Sequence, residues 1–125
     1  MSNAFLISHL QFLFMCSKDA YSAYTGNGHR FIDAIAIHNH NIATRSLLLN
    51  HGHTLPADLY PDMVALVRHY DNWLARWDAL ERQVSPALTD VFTFETEIPY
   101  PREAERRLSD FGATTAPPPN TRTVG

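Results

Sequence analysis

Three polar side chains, His38, Asn41 and Arg45, lie on the apolar side of a long predicted helix, and their chemistry is the first feature to explain. The helix covers residues 30–50, and two overlapping sets of three- and four-residue spacings describe the same side of it. One set is Phe31, Ile35, His38, Ile42, Arg45 and Leu49; the other is Phe31, Ala34, His38, Asn41, Arg45 and Leu48. Because a buried arginine must be paired, this helix either packs against a carboxylate or lines a site.

The seven histidines of the chain do not favour a metal site. His38 and His40 are two residues apart, which separates them by about 200° around a helix axis, so they cannot bind the same ion. His51 and His53 are better placed in a predicted loop, but zinc needs three or four protein ligands. No HExxH motif and no cysteine pair supplies the others. We therefore expect no metal and no other cofactor.

Arg45 is followed by His51 in the segment RSLLLNH. The pair resembles the Arg-x4-6-His motif of the HEPN family, small all-helical proteins that often act as metal-independent ribonucleases in antiviral and toxin systems. The resemblance implies that Arg45 and His51 act together on an RNA phosphate at a dimer interface. A guanidinium can bind a phosphate through two hydrogen bonds, and a histidine can serve as acid or base.

The same two residues also have a structural interpretation. Arg45 can pair with Asp33, Asp71 or Asp78, and His51 lies near the C-terminal end of its helix, a location that favours a cation.

The cysteine content and the net charge limit the expected location and partners of the protein. Cys16 is the only cysteine, so no disulfide framework can form, and a reducing, cytoplasmic location is expected. Its apolar surroundings indicate a small buried hydrophobe and not a nucleophile. The formal charge of −3 and the pI of about 6.1 give no overall electrostatic attraction to nucleic acid. RNA is therefore a partner only under the ribonuclease interpretation.

Three long helices, at residues 4–24, 30–50 and 56–84, are predicted to position these side chains. The segment Thr25-Gly26-Asn27-Gly28 separates the first two, since glycine and asparagine tolerate the left-handed conformation that ends helices. The third has the clearest apolar stripe, with Met63, Leu66, Tyr70, Trp73, Trp77, Leu80 and Val84. The prediction is a small all-α bundle with antiparallel neighbours.

Pro86 ends the third helix, and an extended arm then lies on the bundle, anchored by Val91 or Phe92 and by Phe94. Pro101 opens a short charged helix that Gly112 is expected to end. The helical domain accordingly covers residues 1–112. Residues 113–125, rich in proline and threonine, form a predicted flexible tail.

The first helix is apolar on more than one side, and the other helices can cover only part of its circumference. Its apolar block is too short to cross a bilayer and lacks the features of a signal peptide, so no membrane contact is expected. A second protein chain is the expected cover, with these residues at the interface: Phe5, Leu6, Leu10, Phe12, Leu13 and Phe14. The sequence thus favours an interaction module that acts as a homo-oligomer or as a subunit of a larger complex. The HEPN-like ribonuclease is the alternative.

Overall fold

The computed structural model describes residues 2–115 and contains four α-helices in that range. They are α1 (Asn3–Gly26), α2 (Phe31–His51), α3 (Tyr60–Val84) and α4 (Arg102–Thr115). Two short 3-10 turns, Gly52–Thr54 and Ala57–Leu59, connect α2 to α3. The described residues form no strand beyond one isolated bridge between Arg30 and Val91, and the predicted all-α architecture is confirmed.

Local signals in the sequence explain where the helices begin and end. Ser2 caps α1, because its hydroxyl accepts a hydrogen bond of 3.1 Å from the backbone N–H of Phe5. The turn after α1 contains Gly28 and His29, both with positive φ. Pro61 lies in the first turn of α3, where a missing N–H costs nothing. α3 starts at Tyr60 and not at residue 56, because the chain first makes the 3-10 turn.

Two clusters of buried side chains show that neighbouring long helices run antiparallel. One joins the start of α1, the end of α2, the start of α3 and part of α4: it contains Leu6, Leu10, Leu13, Phe14, Leu47, Leu48, Met63, Leu66, Ala104 and Leu108. The other joins the end of α1, the start of α2 and the end of α3: it contains Ala20, Tyr24, Phe31, Ala34, Ile37, Trp77 and Phe92. α4 packs against both α1 and α3.

The arm between α3 and α4 is fixed along its length. The N–H of Phe31 donates to the carbonyl of Asp90 at 2.8 Å, and the N–H of Phe92 donates to the carbonyl of His29 at 2.9 Å. Phe92 is 1% exposed and Phe94 is half-buried, whereas Val91 is 68% exposed. Phe92 and Phe94 are therefore the anchors, and Val91 is not.

α4 extends past Gly112, which the sequence predicted as its end. A Cβ atom at Gly112 would overlap the side chain of Ile7, so this glycine lets α4 approach α1 closely inside the helix. Ala113 to Thr115 therefore belong to the helix and not to the predicted tail, and the rest of that tail lies outside the described residues. No helix within residues 2–115 has the length and apolar character needed to cross a membrane.

Candidate functional site: an uncharged face on α1 and α2

The buried side of α2 follows only one of the two spacings found in the sequence. Ala34, Asn41 and Leu48 are buried, at 3%, 5% and 4% exposure. Ile42 and Leu49, from the other set, are exposed. The two sets share Phe31, His38 and Arg45, and their other members differ by one position along the chain. The sequence alone therefore could not show which set is buried.

His38 is half-buried beside aromatic rings. Its imidazole lies 4.5 Å from the ring of Trp77, with 32° between the two planes, and 6.1 Å from the ring of Trp73. The contact joins α2 to α3, as the sequence expected for a residue beside the core. It accounts for His38 without a ligand.

Arg45 forms an ion pair with Asp71 of α3, one of the three carboxylates that the structural interpretation named. The Arg45 side chain is 37% exposed and that of Asp71 is 51% exposed, so neither charge is withdrawn from water. The pair agrees with the prediction that Arg45 lies beside the core and binds a carboxylate, and the long arginine stem reaches solvent from that position. Exposed pairs of this kind typically contribute about 0–1 kcal/mol.

Arg45 and His51 lie on different sides of α2. α2 continues through His51, so the two residues are six apart in one regular helix. That spacing places them about 120° apart around the axis and about 9 Å apart along it. The guanidinium of Arg45 is already occupied by Asp71. Within residues 2–115, no three His, Cys, Asp or Glu side chains are grouped so that they could bind a metal ion.

Two polar side chains on α3 are buried: His69, which the sequence analysis did not identify, and Tyr70, which it placed on the apolar stripe. His69 is 8% exposed and its Nδ1 lies 3.0 Å from the carbonyl oxygen of Ile98 in the arm; its burial lowers its pKa. Burial also raises the pKa of Tyr70 to about 12. His69 lies three residues after Leu66, a spacing that could have placed it on the apolar stripe.

The predicted interface on α1 divides into buried and exposed members. Leu6, Leu10, Leu13 and Phe14 are core residues of this chain, and only Phe5 and Phe12 remain exposed, at 66% and 63%. The sequence overestimated the uncovered surface because α4 was not expected to cover α1. Met15, which is 69% exposed, adds a further apolar side chain to the outward side.

The outward sides of α1 and α2 show the same helical spacing and together form one surface. This α1–α2 face consists of Phe5, Ser8, Phe12 and Met15 on α1, and Ile32, Ala36, Asn39, Ala43 and Ser46 on α2, all exposed. The spacings alternate between three and four residues, so each row follows one side of its helix. Because α1 and α2 pack against each other and both rows face away from the two buried clusters, we infer that the rows adjoin.

Charged residues are scarce on these two helices. α1 contains only Lys18 and Asp19, and α2 contains only Asp33 and Arg45, whereas α3 contains seven charged residues and α4 contains six. Lys18 pairs with Glu105 at 2.9 Å, Asp33 with Arg30, and Arg45 with Asp71. Only Asp19 continues a row of the α1–α2 face. Large exposed apolar patches with polar residues at their edges often mark interaction sites.

The N-terminal end of the face is an open surface on α1. Phe5 and Phe12 are its large apolar side chains, and the residues around them are Ser2, Ala4, Ser8 and His9.

No protein-family model, no curated protein and no solved structure matches this chain. Its function is therefore inferred from the geometry of the described residues.

Proposed function

We propose that the protein is an interaction module that forms a homodimer through the α1–α2 face. The observation that carries the proposal is the pair of exposed rows, which present Phe5, Phe12, Met15 and Ile32. Asp19 is the one charged residue that continues either row along α1 or α2. Burial of apolar surface in such an interface stabilises the complex by about 25 cal/mol for each Å² removed from water. The single free Cys16 agrees with a cytoplasmic location.

A second copy of the chain suits this face better than a charged partner. In a two-fold dimer each patch must complement itself, and a patch without like charges meets no repulsion when it does so. The α1 row is bulky, with Phe5, Phe12 and Met15, whereas the α2 row has the small residues Ala36 and Ala43. Two-fold symmetry lets the bulky row of each chain pack on the small row of the other.

The rows of the face correspond to a small interface. The α1 row spans 11 residues, from Phe5 to Met15, and the α2 row spans 15, from Ile32 to Ser46, which is roughly 16 and 22 Å at 1.5 Å per residue. With a width of about 10 Å each, the two rows present roughly 400 Å² in projection. A standard interface buries about 800 Å² of accessible surface per partner, so the proposed dimer belongs to the smaller interfaces.

Charged substitutions on the face test its role. Phe12→Glu and Ala43→Glu are expected to reduce the mass in solution to the 14.2 kDa of one chain, because each would bury an unpaired carboxylate at the interface. Val64→Glu is the control, since Val64 is 49% exposed on α3, away from the face. Circular dichroism should show unchanged helix content in all three variants. Dimers that persist in both face variants, or dissociation of the control, would overturn the assignment.

The ribonuclease alternative is tested with the same preparation. Structured and single-stranded RNA are incubated with the protein in the presence of a chelator. We expect no cleavage, because Arg45 is bound to Asp71 and His51 lies on another side of α2. Cleavage that is lost in both Arg45→Ala and His51→Ala would establish the nuclease in place of the proposal.

A further inference from the structure

Aromatic side chains line a partly enclosed cavity of about 240 Å³ between α1, α2, α3 and the arm. Its floor includes the buried rings of Tyr24, Trp77 and Phe92, and its rim includes the more exposed Tyr21 and Trp73. The remaining lining residues are His29, Ala34, Ile37, Thr93 and Phe94. The cavity is separate from the α1–α2 face, because Tyr21 is nine residues after Phe12 and so lies on the opposite side of α1.

We propose that this cavity binds a neutral ligand group with a single aromatic ring. Pockets for drug-sized ligands are typically larger, at about 300–1,000 Å³, so a cavity of about 240 Å³ suits one ring system. The inference does not depend on dimerisation.

The arrangement of the rings favours an aromatic occupant over an aliphatic one. Trp77 and Phe92 meet at 63° with their centroids 4.7 Å apart, and Trp77 and Phe94 meet at 83°. Edge-to-face contacts of this kind bring the positive edge of one ring to the negative face of another. A further ring at the cavity mouth can continue the pattern against Trp73 and Phe94.

The lining contains no Lys, Arg, Asp or Glu. A charged ligand would lose hydration without meeting an opposite charge, so a neutral group is favoured.

Two polar side chains are available to orient such a ligand. The hydroxyl of Tyr24 is already used, since it donates to the carbonyl of Phe92 at 2.5 Å. Within residues 2–115, neither the imidazole of His29 nor the hydroxyl of Thr93 has a hydrogen-bond partner. His29 also has a φ of +62°, an uncommon conformation for a residue other than glycine. A ring with a hydroxyl or N–H at its edge can therefore bind in the cavity and hydrogen-bond at its rim.

Nuclear magnetic resonance provides a direct test, because the chain has only two tryptophans and both line the cavity. Titration with p-cresol is expected to shift both indole N–H signals in a saturable manner, with a dissociation constant on the order of 1 mM. Cyclohexanol, which is saturated, should bind more weakly. A lack of saturable shifts with p-cresol, or equal binding of cyclohexanol, would overturn the proposal. Tighter binding of tetramethylammonium chloride than of p-cresol would also overturn the proposal, because the tetramethylammonium ion is charged.

The ring can belong to a free phenol or to a tyrosine side chain of another protein, and a second titration distinguishes these sources. N-acetyl-tyrosine amide that binds as well as p-cresol indicates a protein tyrosine. If only p-cresol binds, a free small molecule is indicated, since the cavity then excludes a flanking backbone. Both results support a one-ring site.

Variants at the rim locate the binding. Tyr21 is 57% exposed, so Tyr21→Ala should leave the fold intact while weakening p-cresol binding at least threefold. Ser22→Ala, which lies outside the lining, should bind p-cresol as the unchanged chain does, and Tyr21→Phe, which keeps the ring, should bind it more tightly than Tyr21→Ala. Unchanged binding in Tyr21→Ala would place the ligand elsewhere and contradict the proposal.

Discussion

Arg45 binds Asp71 across the contact between α2 and α3, where both side chains remain in contact with water. The sequence identified the arginine and included its carboxylate among three candidates, because an arginine near a core needs a partner. It could not determine that the pair is exposed, since the position of a guanidinium depends on the rotamer of a long stem.

Replacing Arg45 by methionine tests whether the pair is structural. Methionine keeps much of the apolar stem and removes an exposed ion pair, so the free energy of unfolding should change by no more than about 1 kcal/mol. Urea denaturation at one fixed protein concentration measures it. Asp71→Asn should have an equally small effect, and the double variant should add little to either. A decrease in the free energy of unfolding several times larger than this would show that Arg45 makes stabilising contacts beyond the pair with Asp71.

His69 is expected to make stability depend on pH. Burial lowers the pKa of His69 in the folded protein below its ordinary value of 6.5. When the pH falls through 6.5, the unfolded chain therefore binds a proton first, and the free energy of unfolding decreases until the folded pKa is also passed. Above that range His69 is neutral in both states and has no effect.

Urea midpoints at about pH 7.5 and about pH 5.5 measure the decrease, since these values lie on either side of the unfolded pKa. His69→Gln is the control, because glutamine can still donate to the carbonyl of Ile98 but does not titrate. The variant should lose less stability at the lower pH. An equal decrease in both proteins would assign the effect to other groups.

α4 shows where element boundaries cannot be obtained from sequence. The three long helices were predicted to within a few residues, because their stripes and breakers are local features. Gly112 has the sequence signature of a helix end, yet it lies inside α4 where the helix meets Ile7. The role of a glycine in close packing depends on a neighbour more than a hundred residues away, which no local pattern contains.

Substitution of Gly112 by alanine should destabilise the protein despite the better helix propensity of alanine. The gain in propensity is at most about 1 kcal/mol, whereas overpacking against Ile7 costs about 1–3 kcal/mol. Gly26→Ala is the matched control in α1, because no atom lies within 4 Å of its added Cβ. Thermal melts at equal concentration should show a lower midpoint for Gly112→Ala only. A higher midpoint would mean that α4 does not approach α1 this closely.

On the scale of the whole molecule, charge separates the bundle into two halves. Most of the charged residues of the helices lie on α3 and α4, and α1 and α2 present the uncharged α1–α2 face. The sequence predicted an uncovered apolar surface on α1, but not that Leu6 and Leu10 would be fully buried in a cluster to which α2, α3 and α4 all contribute. It also did not indicate the contribution of α2, because the small residues Ala36 and Ala43 carry no strong local signal.

The molar mass in solution tests the central claim most directly. Sedimentation equilibrium over a range of protein concentrations is expected to give twice the 14.2 kDa of one chain, with dissociation only on dilution. A mass of one chain at every concentration, without aggregation, would contradict the account.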